Sequence, residues 1–137
     1  VGHFVVAVRG RRVVGCGELA PLSPGLAEVR SLAVHESVRH QGIGSQLVIE
    51  LRRRAQAAGY EQLCVMTHAP EYFTTLGFSI VPHLWVQEKV FTDCVSCPRF
   101  RTCGQFAMVV PLDGTAEPGD DDQPPAERPS TIALHVA

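Results

Sequence analysis

The residues whose types and spacing best suit ligand binding form the stretch Arg39-His40-Gln41-Gly42-Ile43-Gly44-Ser45, which joins a β-rich segment to a helical pattern. Two glycines one residue apart allow a tight turn and let the backbone approach a ligand closely. The first N–H groups of a helix point outward, and its dipole favours an anion there. Arg39 and His40 add positive charge. The stretch therefore predicts a pyrophosphate-binding turn, and its alternative is a glycine-containing helix start that binds nothing.

Two better-known phosphate motifs are excluded by the residue types around this turn. A dinucleotide-binding fingerprint needs a third glycine, which would fall at Leu47. A P-loop needs Gly-Lys followed by Ser or Thr, and this stretch has no lysine. A phosphate site here therefore belongs to a different class of turn.

Glu28 is the second candidate for chemistry. It lies at the start of Ala27–Val34, where polar and apolar residues alternate as in a strand until the pattern slips at Arg30 and Ser31. A carboxylate in this place could accept a proton from an amine through a water molecule. Its alternative role is that of a solvent-facing strand carboxylate. The slip is typical of a β-bulge, which would separate the strand from its neighbour and free backbone N–H groups.

Three cysteines lie close together in Cys94-x-x-Cys97-Pro98, followed by Cys103. A structural zinc site needs four ligands, and His83 and Asp93 are the nearby candidates for the fourth. A metal site, a redox-sensitive pair and a compact turn of reduced cysteines all remain open. The odd total of five cysteines and the lack of a secretory signal argue against a disulfide framework and favour the cytoplasm.

The rest of the pattern predicts the elements that must position these residues. A polar turn around Gly10 joins two β-rich runs, and apolar residues at helical spacing follow Gly42. The predicted elements are a hairpin over 3–19, a loop over 21–25, a strand over 27–34, a helix from 43 that Gly59 ends, a buried strand over 63–67, a short helix from Pro70 to Leu76, and strands over 78–81 and 106–110. This order indicates a mixed α/β fold.

Composition limits the number of domains and the classes of partner. A chain of 137 residues that is 45% hydrophobic fits one packed domain, which we place at residues 1–112. Residues 113–137 are acidic and proline-rich, and they predict a disordered tail. The first 112 residues carry 11 basic and 8 acidic side chains, a balance that suits small anionic ligands rather than nucleic acid. No run approaches the roughly 18 apolar residues of a membrane span.

Taken together, the motifs resemble the GNAT acetyltransferase superfamily across residues 3–112. Arg39-x-x-Gly42-x-Gly44 matches its acetyl-CoA signature, and Leu76-Gly77-Phe78 resembles the end of a helix of that family. Within the superfamily, the likeness is closest to the short bacterial N-acetylglutamate synthases, which are amino-acid N-acetyltransferases. The segments that carry it are A-E-V-R-S-L-A-V at 27–34, Tyr72-Phe73, and E-K-V-F-x-D-C-x-x-C-P at 88–98.

This resemblance implies a mixed, mostly antiparallel sheet with flanking helices, in which the family's first strand and first helices have no counterpart. It also implies acetyl-CoA as co-substrate and acetyl transfer to the α-amine of a small amino acid. L-glutamate is the first candidate acceptor, and arginine biosynthesis would be the setting. The implied acetyl-CoA contacts are Leu32, Val34, Arg39, His40, Gln41, Gly42, Ile43, Gly44 and Ser45.

The same resemblance assigns roles on the acceptor side. Glu28 is the expected catalytic base, because the synthases have a glutamate at this place in the strand. Arg30, Thr67 and Lys89 are the expected substrate contacts, and Lys89 ranks first among the basic residues because its E-K-V-F context matches the family. Phe73 stands where many family members carry a tyrosine that protonates the thiolate, so Thr67 or water becomes the candidate donor. Further basic candidates are Arg99 and Arg101.

Three other functions stay open at this level. A non-catalytic acetyl-CoA-binding regulatory module would fit the missing elements and the missing tyrosine. A protein N-acetyltransferase would keep the enzyme and change the acceptor, and a metal or redox sensor would use the cysteines. The expected partners are small-molecule substrates, with no nucleic acid and no membrane, and a homo-oligomer stays open. The residues do not determine whether the natural chain extends upstream of Val1.

Overall fold

The computed structural model describes residues 3–86, 104–112 and 132–136. Its strands are β1 (Phe4–Arg9), β2 (Arg12–Ser23), β3 (Leu26–Val34), β4 (Gln62–Thr67), β5 (Ser79–Val81), β6 (Phe106–Pro111) and β7 (Ile132–Val136). The helices are α1 (Ile43–Ala57) and α2 (Pro70–Thr75), with short 3-10 turns at Glu36–Val38 and His83–Val86. Over these residues, no helix has the length and apolarity needed to cross a membrane.

All seven strands form one sheet in the order β5-β6-β4-β3-β2-β1-β7. Only β3 and β4 run parallel, and each of the other neighbouring pairs is antiparallel. The predicted mixed and mostly antiparallel sheet is therefore confirmed. The parallel pair lies in the middle of the sheet, where β4 is buried on both faces, as its nearly continuous apolar run predicts.

The helix after the glycine turn packs on one face of the sheet. Its buried residues recur at helical spacing: Ile43, Leu47, Val48, Leu51 and Ala55. They form the main core with alternate residues of the strands, among them Val65 of β4 and Met108 of β6. The chain leaves the helix through Gly59, whose φ of +88° is the left-handed conformation that glycine adopts readily. Pro70 occupies the first turn of α2, as predicted.

Strand β2 is longer than the sequence predicts. The expected loop at 21–25 begins too early, because β2 continues to Ser23 and Pro21 pairs with Ala27 of β3. Proline is tolerated there because the Leu19 N–H donates over 2.8 Å to the His3 carbonyl oxygen on the side away from β3, and the alternation of a strand directs the Pro21 nitrogen to that same side. The missing N–H of Pro21 therefore costs no ladder hydrogen bond among the described residues.

The prediction of a disordered tail over 113–137 is wrong for its last part. Residues 132–136 form β7, which pairs antiparallel with β1 from Val5↔Val136 to Arg9↔Ile132. Leu134 is half-buried and packs against the main core. Five residues cannot hold a strand alone, but the open edge of β1 supplies the hydrogen bonds that stabilise them. Residues 113–131 lie outside the described residues.

Candidate active site

The candidate site lies where the two parallel strands separate. Pairing between β3 and β4 starts at Leu26↔Gln62 and ends at Glu28↔Cys64, although both strands continue for several residues. Ser31 has a φ of +55°, and the register between β2 and β3 shifts at Cys16/Glu18, opposite this part of β3. The bulge predicted from the slipped alternation is confirmed. It turns the second half of β3 away from β4 and opens a cleft between them.

One half of this cleft is a cavity of about 530 Å³ at the glycine turn. Gly42 caps α1 with a φ of +80°, so the first N–H groups of a 15-residue helix are available to a ligand in that cavity. Such a helix start attracts an anion, and the guanidinium of Arg39 adds positive charge. The lining residues are Leu32, Ala33, Val34, Val38, Arg39, His40, Gly42, Ile43, Gly44, Ser45 and Tyr72.

Eight of the nine predicted cofactor contacts line this cavity, and Gln41 is the exception. Its side-chain Oε1 accepts a hydrogen bond of 2.7 Å from Arg9 Nη2, so Gln41 connects the turn to β1 rather than to the cleft. Arg39 donates from Nε to the Val34 carbonyl oxygen over 3.2 Å, which holds its stem against the end of β3. The structure therefore gathers the predicted residues around one space, and their contacts with a ligand stay a prediction.

The other half of the cleft is a cavity of about 500 Å³ beside the bulge. Leu32 lines both cavities, so the two halves adjoin at that residue. Three residues predicted for the acceptor side, Glu28, Arg30 and Thr67, line this second half together. The other lining residues are Val29, Ser31, Leu32, Val65, Met66, Phe73 and Gln105.

Glu28 is 1% exposed, so the alternative of a solvent-facing carboxylate is wrong. Its Oε1 pairs with Nε of Arg30, whose side chain is 32% exposed. A buried carboxylate needs such a partner, because an unpaired charge in the interior is strongly unfavourable. The pair therefore combines a protected carboxylate with a cation that reaches the cleft.

Thr67 and Phe73 close the far wall of the same cavity. The Thr67 Oγ1 accepts a hydrogen bond of 2.9 Å from the Ala69 backbone N–H, which anchors the entry to α2. A hydroxyl that accepts one hydrogen bond keeps its own proton for donation. Phe73 is buried and stacks edge to face on Phe78, with 5.5 Å between ring centroids. No proton can come from its ring, as the sequence predicts.

Sequence reasoning missed two polar residues of the cleft. Tyr72 has no predicted contact of its own; its ring packs against the main core, and its hydroxyl lies 3.0 Å from Ser45 Oγ in the first cavity. Gln105, which directly precedes the predicted strand over 106–110, lines the second cavity. Neither has a local sequence signal, because each reaches the cleft through the packing of distant segments.

The remaining candidates cannot be placed. Lys89, Arg99 and Arg101 lie outside the described residues, as do the cysteines at 94, 97 and 103. Over residues 3–86, 104–112 and 132–136, no group of three or more His, Cys, Asp or Glu side chains could hold a metal ion. The metal, redox and reduced-turn interpretations of the cysteine cluster therefore stay untested.

Comparison with known proteins supplies independent information. The GNAT acetyltransferase domain family matches residues 1–80. An uncharacterised N-acetyltransferase of Chlorobaculum tepidum is 34% identical over 112 residues, which cover 82% of this chain and 72% of that protein. An amino-acid acetyltransferase of Mycobacterium tuberculosis is 33% identical over 82 residues, 60% of this chain and 47% of that protein. The chain spans only 18% of the Azotobacter vinelandii amino-acid acetyltransferase.

Solved structures agree on the fold. A Mycobacterium tuberculosis protein crystallised with CoA superposes with a TM-score of 0.67 at 24% identity, covering 81% of this chain and 76% of that one. N-acetylglutamate synthase of Neisseria gonorrhoeae, crystallised with CoA and N-acetylglutamate, gives a TM-score of 0.68 at 20% identity, covering 81% and 26%. At these identities the likeness shows the fold alone. Because the family match covers more than half of the sequence and the Chlorobaculum relative aligns along most of both chains, this chain belongs to the GNAT acetyltransferase family.

Proposed function

We propose that this acetyl-CoA-dependent N-acetyltransferase acetylates the α-amine of a small amino acid, with L-glutamate as the first candidate. The observation that carries the proposal is the Glu28–Arg30 pair, a buried carboxylate and a cation that lie together in the cleft next to the glycine turn. An amino acid offers the matching groups, an ammonium that must lose a proton and a carboxylate. Relatives named amino-acid acetyltransferase support this class of acceptor.

The two halves of the cleft would serve different parts of the acetyl-transfer reaction. When bound, acetyl-CoA supplies a thioester whose carbonyl carbon accepts the amine. The helix start at Gly42 and the charge of Arg39 would hold the phosphate end. The bulge at Ser31 would present backbone N–H groups to the carbonyl oxygen, where negative charge develops in the transition state. The helix start and the bulge are backbone features that exist before a ligand enters, and only the Arg39 contact depends on a side chain.

Glu28 is the group that would receive the ammonium proton. Only a neutral amine attacks a carbonyl, and near neutral pH an α-amine is mostly protonated. Because Glu28 lines the acceptor cavity, its carboxylate could take that proton directly or through one water molecule. Thr67, on the opposite wall, would donate a hydrogen bond to the departing thiolate, which takes the second proton that the nitrogen loses as the amide forms.

Arg30 would bind the acceptor's carboxylate. A guanidinium has five N–H donors in a planar fork, enough to contact Glu28 and a second carboxylate. Lys89 remains a candidate for the side-chain carboxylate on the strength of the E-K-V-F resemblance alone. A role in arginine biosynthesis requires that glutamate is the acceptor.

The test is an assay of thiol release from acetyl-CoA with a panel of acceptors. The panel contains L-glutamate, L-glutamine, L-aspartate, glycine and a short peptide with a free N-terminus. N-acetyl-L-glutamate is the matched control, because it keeps both carboxylates and lacks the free amine. We expect release with glutamate and none with its N-acetyl derivative. Release with the peptide alone would indicate a protein acetyltransferase, and tight acetyl-CoA binding without any release would indicate a non-catalytic module.

A further inference from the structure

The contact between two hydroxyls at the glycine turn has no role in the mechanism above. Ser45 is the third residue of α1, and its Oγ lies 3.0 Å from the hydroxyl of Tyr72 on α2. Both residues are half-buried, and both line the cavity at the turn. The two residues are 27 positions apart in the sequence, and the fold brings a hydroxyl from a second helix to the first turn of α1, where a ligand's charge would lie.

Packing holds the Tyr72 hydroxyl in this place. The Tyr72 ring stacks edge to face on Phe73 with centroids 5.1 Å apart, and it packs against the main core. The glycine at position 44 leaves room for it, because a Cβ there would lie 3.0 Å from the Tyr72 hydroxyl oxygen. That distance is shorter than side chains normally tolerate. Gly44 and Tyr72 therefore fit each other, and the hydroxyl occupies the space that an alanine methyl would need.

The location of the Tyr72 hydroxyl excludes it as the proton donor to the thiolate. Tyr72 lines the cavity at the turn, whereas its neighbour Phe73 lines the cavity that contains Glu28. The tyrosine is therefore on the phosphate side of the cleft rather than beside the acceptor. It is not placed to protonate a thiolate that leaves next to Glu28.

We propose that Tyr72 is a positioning residue that directs the Ser45 proton onto a phosphate oxygen of the cofactor. Phosphate oxygens only accept hydrogen bonds, so a serine that contacts one must donate to it. The Tyr72 hydroxyl then donates to Ser45 Oγ, and the two bonds run in one direction and strengthen each other. The inference rests on the proposed placement of the cofactor phosphates at the turn.

Calorimetric titration with CoA and with pantetheine, which lacks the phosphates, tests this role. The variants are Tyr72→Phe, Ser45→Ala and their combination. Tyr72→Phe keeps the ring that packs on Phe73, and Tyr60→Phe is the matched control, because Tyr60 packs partly buried against the same core beyond the other end of α1. Thermal unfolding of each variant verifies that it is folded.

We expect Tyr72→Phe and Ser45→Ala each to raise the Kd for CoA by roughly three- to tenfold. The Kd for pantetheine should not change, and the double variant should bind CoA no more weakly than Ser45→Ala. Additive losses, an equal loss for pantetheine, or unchanged CoA binding by Tyr72→Phe would overturn the role of Tyr72. Failure of the unmodified protein to bind CoA would instead overturn the cofactor site itself.

Discussion

At the scale of single residues, the Glu28 carboxylate depends on Arg30. Glu28 is almost completely buried, and the Arg30 guanidinium compensates for the loss of water around its charge. The same guanidinium borders the space that an acceptor would enter. An acceptor carboxylate would therefore meet the cation that pairs with the proposed base, and acceptor binding and proton transfer would be coupled through one side chain.

The first prediction concerns the base. Glu28→Gln keeps the size of the side chain and an oxygen for Arg30, but it cannot take a proton. We expect kcat to fall by roughly 10²-fold or more near neutral pH, with the affinity for acetyl-CoA nearly unchanged. The loss should shrink at high pH, where the amine is already neutral. Thiol-release kinetics across pH measure this effect.

Glu61→Gln is the control for that variant, because Glu61 is an exposed glutamate just before β4 and does not line the cleft. It should leave kcat unchanged. If Glu28→Gln kept full turnover at neutral pH, Glu28 would not be the base.

The second prediction concerns the glycine at the helix start. Gly42 has a φ of +80°, and nothing lies within 4 Å of a Cβ built there. Gly59, beyond the other end of the same helix, has a φ of +88° and equally open surroundings. Gly42→Ala and Gly59→Ala should therefore lose similar stability, about 1 kcal/mol each, from backbone strain.

Only Gly42→Ala should weaken CoA binding, by roughly tenfold or more, because its methyl group enters the space where a phosphate would contact the backbone. Thermal unfolding and calorimetric titration of both variants measure the two effects separately. Equal CoA affinity in the two variants would remove the phosphate site from this turn.

At the scale of elements, the two outer edges of the sheet differ. The β5 edge is a strand of three residues, whereas at the other end of the sheet β7 pairs with β1 from Val5 to Arg9. Leu134 of β7 pairs with Ala7 and packs against the main core, while its neighbour His135 is exposed. The strand thus contributes apolar contact as well as hydrogen bonds, and it protects an edge that would otherwise be open to other chains.

The third prediction follows from that packing. Leu134→Ala should destabilise the protein by about 1 kcal/mol, less than a fully buried leucine would, since Leu134 is half-buried. His135→Ala, in the next position of the same strand, should change the free energy of unfolding by less than about 0.5 kcal/mol. Denaturant unfolding measures both. Identical stabilities of the two variants would show that β7 does not pack on β1 in solution.

At the scale of the whole molecule, the cleft divides the sheet into two parts. Strands β1 to β3 with β7 lie on one side, and β4 to β6 lie on the other, joined across the sheet by three residue pairs between β3 and β4. Beyond the shared core, the helices connect through the Ser45–Tyr72 pair and a 3.3 Å hydrogen bond from Arg52 Nη1 to the Leu76 carbonyl oxygen. A ligand that fills the cleft would contact both parts.

The fourth prediction is that CoA stabilises the whole fold. A ligand at 100 times its Kd adds about 2.7 kcal/mol to the free energy of unfolding if it binds only the native state. For a chain of this size, Tm should rise by roughly 8–15 °C. Thermal unfolding with increasing CoA measures the shift, and Gly42→Ala should reduce it at equal CoA concentration. A Tm independent of CoA would contradict binding in the cleft.

Much of this architecture is determined by local sequence. The helical spacing after Gly42, the alternation with a slip at Arg30 and Ser31, and the proline that starts α2 each depend on residues close together in the chain. Short-range preferences and burial periodicity fix such features before any long-range contact forms. The glycine turn and the separation of β3 from β4 were predictable for this reason.

Only the tertiary structure decided which distant groups meet. The strand from Ile132 to Val136 is too short to be stable by itself, and it forms because the open edge of β1 pairs with it. The burial of Glu28 depends on what packs around β3, and the approach of Tyr72 to Ser45 depends on how α2 lies against α1. The spacing of side chains along a chain indicates which face of a helix or strand a residue occupies, but it does not indicate which other element packs against that face. That choice is made by the shape and packing of the whole core.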